Sequence, residues 1–184
     1  INDLCGGRII LGIGTGWMER EHSIYGYQLG TIKERMDRLE EGVQIIHHLT
    51  RQTEPLTVTG QYYQLQSARL LPQSQYPLRI LIGGNGKKRT LPLVAKYADV
   101  WNAQWMSLDD LRERNDYLND LLEREGRRPQ DVKRTCIRAL WCWRDDVERE
   151  RTADAYRRVQ SVAPDIPTDE LVQFFKEKLS AICG

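Results

Sequence analysis

An α/β fold built on a parallel sheet is what this 184-residue sequence predicts. Three observations carry that reading. Short apolar runs without polar alternation, Arg8–Ile13 and Leu78–Ile82, have the character of strands covered on both faces, as parallel strands are. Each leads directly into glycines, Gly12–Gly16 and Gly83–Gly86. Helical periodicity then alternates with such runs along the chain, as crossover connections require.

Taken in order, Arg8–Ile13 is the first strand. Thr31-Ile-Lys-Glu34 is a capping box, with hydroxyl and carboxylate serving orphan amides at a helix start. Behind it Ile32, Met36, Leu39, Val43, Ile46 and Leu49 recur at steps of three and four, an amphipathic helix ending near Thr50. Leu56–Leu65 alternates around Gly60 and predicts a small hairpin. Leu78–Ile82 is the second buried strand, and Gly83–Gly86 turns the chain. Leu91, Val94, Ala95 and Ala98 mark a helix with Pro92 in its first turn. Asp99–Ala103 is a short strand, and Ser107–Asp110 caps a helix with Leu108, Leu111, Leu118 and Leu122 on one face and Gly126 as its stop. Arg134–Trp143 is a longer strand, Asp145 to about Val159 a charged helix, and Pro167-Thr168 opens a last helix with Leu171, Phe175 and Leu179 inward.

Four core strands fit two architectures. One is the C-terminal portion of an eight-stranded parallel barrel, which takes roughly 250 residues. The other is a nearly complete open, doubly wound sheet. The chain begins at Ile1 in mid-pattern, so a piece of a longer protein is expected, one domain incomplete at both ends over residues 1–184.

Composition excludes several functions. With 27 Lys+Arg against 26 Asp+Glu the net charge is +1, which disfavours a nucleic-acid arm or a polybasic membrane patch. No apolar stretch approaches the roughly 20 residues of a membrane span. Cys5, Cys136, Cys142 and Cys183 form no C-x-x-C pair, and with three His no zinc site is expected. Four reduced, mostly buried thiols in a cytoplasmic protein are expected instead.

In either architecture ligands bind at the carboxyl ends of the strands. Gly83-Gly84-Asn85-Gly86-Lys87-Lys88 follows a strand and precedes a helix. Its backbone N–H groups can converge on an anion, aided by the helix dipole and a lysine, so it reads as a phosphate cradle. The alternative is a tight left-handed turn that needs glycine for geometry alone. If the cradle is real, Gly84→Val should clash with phosphate and weaken cofactor affinity at least about tenfold. Gly12-Ile-Gly14-Thr15-Gly16-Trp17 fails the dinucleotide spacing, and no helical pattern follows it directly. It reads either as a platform for a flat ring, with Thr15 as hydrogen-bonding group, or as a glycine kink at a barrel corner. Glu19, Glu21 and His22 follow, where a carboxylate beside a ring suits proton transfer; for His22 alone the solvated-loop reading is preferred. His47 and His48 are structural, at a helix end. Trp101 or Asn102 should face the pocket, although Trp101 reads equally as core. No Ser-His-Asp group, H-E-x-x-H or carboxylate dyad is present, so the chemistry belongs to a bound cofactor and no catalytic side chain is assigned.

Together these residues resemble the luciferase-like monooxygenase family of flavin- and deazaflavin-dependent oxidoreductases on a TIM-type barrel. The stretches that carry the resemblance are Gly7–Trp17, Arg38–Ile46, Thr59-Gly-Gln-Tyr-Tyr63, Ile82–Gly86 and Tyr97–Asn102, in an order and spacing that cover nearly the whole chain. The Trp17–Glu21 segment and the Asn85–Lys88 turn look more like the branch using coenzyme F-420, a deazaflavin, than the FMN branch. The resemblance implies that these are barrel strands four to seven with their helices, and that Gly83, Gly84, Asn85 and Gly86 hold the cofactor phosphate. It also places Thr15, Gly16 and Trp17 near the ring or its side chain. The implied activity is hydride transfer with F-420, or oxygenation with reduced FMN, on a small organic substrate, by a possible homodimer when whole. Against the family pattern, strands one to three, with the usual active-site His, and strand eight are absent. A non-catalytic cofactor- or phosphate-binding partial barrel is the alternative.

Overall fold

The structure, a computed structural model, describes residues 1–137 and 143–160, with side chains up to residue 154. Ile1–Ile137 forms one compact unit and Arg138–Gly184 another. In the first unit the chain runs β1 (Ile10–Ile13), α1 (Glu19–Tyr25), α2 (Ile32–Arg51), β2 (Leu56–Thr59), β3 (Gln64–Ala68), β4 (Arg79–Gly83), α3 (Thr90–Tyr97), β5 (Val100–Gln104), α4 (Leu108–Arg124), a 3-10 turn at Pro129–Asp131 and β6 (Lys133–Ile137). The second unit contributes α5 (Asp146–Gln160). The part of the expected last strand beyond Ile137 and the expected helix from Pro167 lie outside the described residues.

The sheet order β1-β4-β5-β6 decides between the two architectures. All three pairings are parallel, in register Ile13↔Ile82↔Trp101↔Arg134. Each new strand is added on the same side, without the reversal of order that defines a doubly wound sheet. Right-handed crossovers put α2, α3 and α4 on one face, as in consecutive units of a β/α barrel. The core confirms this: Met36, Leu39 and Val43 of α2, Leu91 and Val94 of α3, and Leu118 and Leu122 of α4 pack with Ile80, Ile82, Trp101 and Ala103. Full burial of each such side chain is worth about 1.5–3 kcal/mol, so this helix–sheet layer dominates the stability of the unit.

Local signals are realised as expected at two helix starts. The Thr31 hydroxyl accepts from the Glu34 N–H while Glu34 Oε2 accepts from the Thr31 N–H at 2.7 Å, closing the capping box. Ser107 Oγ accepts from the Asp110 N–H at 3.1 Å. The sequence reading missed α1. None of its residues is buried, and periodicity records burial, so a surface helix closed by Gly26 at φ 73 leaves no apolar stripe to read. Ile32 belongs to the expected stripe but is 73% exposed, because it is the first residue of α2, and Ile45 joins the buried set instead. The thiols also differ from expectation: Cys136 is exposed and Cys5 half-buried.

Two motif stretches distant in sequence meet through one side chain. Glu41 of α2 accepts hydrogen bonds from the N–H groups of Gln61 (2.9 Å), Tyr62 (3.0 Å) and Tyr63 (3.2 Å), filling the turn between β2 and β3. A Cβ at Gly60 would collide with that carboxylate, which is why Thr59-Gly-Gln-Tyr-Tyr63 needs its glycine. At the opposite end of the strands Asp99 Oδ2 accepts from the Ile80 N–H (2.8 Å) and from Arg51 (2.6 Å), and Arg127 donates to Ala95 O and Ala98 O at 2.8 Å. These contacts stabilise the amino ends of the strands, away from the face where barrels bind ligands.

Candidate functional site

The β4–α3 loop, Gly84–Arg89, is fastened to β5 and α4 by donors and acceptors alike. The Gly84 N–H donates to Asn102 O (3.1 Å), and Trp101 Nε1 donates to Gly84 O (2.9 Å). Asn85 acts as a clamp: its Nδ2 donates to Gln104 O (2.5 Å) and its Oδ1 accepts from the Gln104 N–H (3.0 Å). Arg114 Nε donates to Asn85 O at 3.2 Å. The Gly84 and Asn85 carbonyls are thereby turned to the protein. The N–H groups of Asn85, Gly86, Lys87 and Lys88 donate to no partner among the described residues. A run of unpaired donors ahead of α3, with the positive end of its dipole behind them, is the electrostatic form of an anion cradle.

Gly84 has φ +122, and a Cβ there would lie 3.3 Å from Thr90 Cγ2. The fold itself therefore requires this glycine, so Gly84→Val strains the backbone whether or not phosphate binds and does not isolate a ligand contact. Lys87 does not reach over the loop; it forms an ion pair with Glu113 of α4, with its ammonium 5.9 Å from the Tyr117 ring centroid. That ion pair holds the Glu113 carboxyl below the usual range. Lys88 is exposed and carries no ion pair among the described residues.

The β1 loop leaves the same end of the sheet from the neighbouring strand. Gly12 and Gly14 have no left-handed φ, and a Cβ at Gly14 would meet nothing within 4 Å. Gly16, at φ 71, is the one whose backbone needs glycine. Its carbonyl accepts from Arg35 Nη1 at 2.5 Å, a contact from α2 that the sequence reading did not single out. Thr15 and Gly14 line a cavity of about 250 Å³ with His22, Arg35, Arg38 and Tyr63. His22 Nδ1 donates to Met18 O at 2.9 Å, leaving Nε2 for other partners. Trp17, 72% exposed, and Glu21, also exposed, stand outside that cavity.

Trp101 is fully buried in the helix-side core, so of its two sequence readings the core one holds, and its Nε1 donates to the loop at Gly84 O. Asn102, its neighbour on the other face, donates to Thr135 Oγ1 at 2.9 Å. Sequence reasoning missed Gln104 and Thr135, whose positions follow from strand register, and Arg114, which α4 brings to the loop. No cluster of metal-ligating side chains occurs among the described residues.

A stretch of consecutive parallel β/α units with a glycine-rich loop at its carboxyl end defines the class: part of a β/α barrel. The profile of the luciferase-like monooxygenase family matches residues 1–179, and the chain belongs to that family. It is 34% identical over 95 residues to an F-420-dependent glucose-6-phosphate dehydrogenase of Amycolatopsis mediterranei, covering 52% of this chain and 27% of that protein. The chain thus spans about a quarter of the length of the curated relatives it matches. Among solved structures, it is similar to an F-420-dependent secondary alcohol dehydrogenase in complex with an F-420–acetone adduct (TM-score 0.64, 20% identity, 73% of this chain and 41% of that one). It is also similar to the EDTA monooxygenase of Chelativorans sp. BNC1 (TM-score 0.69, 16% identity, 98% and 52%).

Proposed function

We propose that this chain forms strands four to seven of an F-420-dependent oxidoreductase barrel, in which the loop from Gly83 to Lys88 holds the cofactor phosphate. The observation that carries the proposal is the set of unpaired N–H groups at Asn85–Lys88, beside carbonyls already engaged by Trp101 and Arg114. That loop fits a phosphate and repels no anion, since the nearby Glu113 is neutralised by Lys87 and Arg114. Thr15, Gly16 and Trp17, on the neighbouring loop, would meet the ring or its side chain, and open space beside Gly14 supports a close approach. When bound, the deazaflavin supplies hydride transfer to or from the substrate, whereas FMN would supply oxygen chemistry. F-420 is favoured because the curated relatives carry F-420-dependent names. This chain's own residues anchor the phosphate, orient the ring and keep the loop rigid. The same reading has the whole protein act in the cytoplasm, as a homodimer, on a small organic substrate; no helix among the described residues is long and apolar enough to cross a membrane.

Titration of F-420 followed by its own fluorescence tests this. Lys88→Glu reverses an exposed charge at the loop without touching the core, and should weaken binding by roughly tenfold, or 1.4 kcal/mol. Inorganic phosphate should compete with the wild-type complex. Equal affinity in both proteins, with no competition by phosphate, would refute the cradle.

A further inference from the structure

We propose that the cavity between the β1 loop, α1, α2 and the β2–β3 turn binds a small organic anion, a carboxylate or phosphate ester carried on an apolar body. The cavity, about 250 Å³, is lined by no residue of the Gly83–Lys88 loop and so is separate from the phosphate cradle. Arg35 and Arg38, one turn apart on α2, both line it, and no Asp or Glu does. Like charges at that spacing repel and weaken a helix unless a counter-charge meets them. Neither arginine forms an ion pair among the described residues. The carboxylates of the adjoining elements are engaged elsewhere or stand outside. Glu34 serves the Thr31 cap, Asp37 binds Lys33 and Arg89, Glu40 binds Arg89, and Glu41 takes the N–H groups of the β2–β3 turn. Glu19 and Glu21 of α1 are exposed and do not line the cavity.

The unused donors set the ligand's chemistry. Arg35 spends Nη1 on Gly16 O, but its Nε is buried and has no hydrogen-bond partner. A buried guanidinium N–H without an acceptor is costly, and an anion in the cavity would supply the acceptor. Arg38 has its guanidinium carbon 5.1 Å from the Tyr62 ring centroid, a contact with the ring that uses none of its N–H donors. A guanidinium offers those donors as a planar fork that matches carboxylate or phosphate oxygens. Leu39 and Ile46 of α2, with Tyr63 of the turn, supply the apolar wall, which favours an anion with a hydrocarbon or aromatic body over a bare ion.

The inference stands apart from the cofactor reading, and the test separates the two. Benzoate, phenyl phosphate and uncharged benzamide are titrated at fixed ionic strength, with binding read by saturation-transfer NMR. Wild type, Arg38→Gln, Arg35→Lys and Lys88→Glu are compared. We expect benzoate or phenyl phosphate to bind wild type at least fivefold more tightly than benzamide, the tighter of the two identifying the anionic group. That affinity should fall at least fivefold in Arg38→Gln and stay within twofold in Lys88→Glu, whose charge lies at the other loop. Arg35→Lys keeps the charge but loses the fork, and should weaken binding at least threefold; it decides the point should Arg38→Gln unfold. Anions that bind no better than benzamide, folded arginine variants that bind as wild type does, or a loss in Lys88→Glu in place of Arg38→Gln would each overturn the site. Failure of F-420 to bind wild type would refute the cofactor reading and leave these titrations standing.

Discussion

Glu41 joins α2 to the turn between β2 and β3 through a single side chain. Three backbone N–H groups converge on its carboxylate, the one from Tyr62 contributing most, and together they hold its pKa below the ordinary glutamate value of 4.5. A depressed folded-state pKa means that the stabilisation is fully present above the unfolded value and is lost as pH falls through the folded one. Glu41→Gln should therefore lower the melting temperature at neutral pH, and the gap to wild type should close on acidification below about pH 4. Melting curves at several pH values check this; a gap that stays constant into acid would show that the carboxylate charge contributes nothing. His47 illustrates a second cause of a shift. Burial, then Arg51, lowers its pKa, and its ring stands 5.3 Å from Tyr97 in an edge contact. It is a packing residue.

At the scale of elements, the rigidity of the β4–α3 loop comes from β5. Asn85 replaces a strand neighbour for Gln104, giving and receiving one hydrogen bond as a paired residue would. Asn85→Ala removes both and leaves the Gln104 N–H without a partner, a cost of about 1–3 kcal/mol. Urea denaturation should show that loss, and F-420 affinity should fall with it because the donors at Gly86–Lys88 lose their fixed direction. A loss of stability with unchanged affinity would mean that the clamp serves the sheet alone. The ion pairs from Arg89 to Asp37 and Glu40, each 2.6 Å, tie the start of α3 to α2 and fix the loop from its other end.

For the whole molecule, the open flanks dominate. β1 pairs only with β4, and β6 only with β5, among the described residues. Ile10 on β1 is 41% exposed and Ile137 on β6 45%. Unpaired edges bearing apolar side chains promote association. The 184-residue chain by itself should self-associate or melt without cooperativity, which sedimentation and calorimetry would show; a sharp monomeric transition would argue against a barrel segment.

The sequence by itself determined the elements whose signal is burial or capping: the stripe of α2, the caps at Thr31 and Ser107, the buried strands at Ile80 and Ile82, and the loop at Gly83–Lys88. Those signals are local, so they survive in one dimension. Tertiary structure decided what depends on register and strand order. It resolved the barrel-type succession against a doubly wound sheet, and it put Trp101 inward with its N–H bonded to the loop. It also diverted Lys87 to Glu113, and brought Gln104 and Thr135 to the carboxyl end of the sheet. The physical reason is the two-residue period of a strand: which side chain faces the helices and which the ligand is fixed by the neighbouring strand's register, and no residue type in the sequence records that choice.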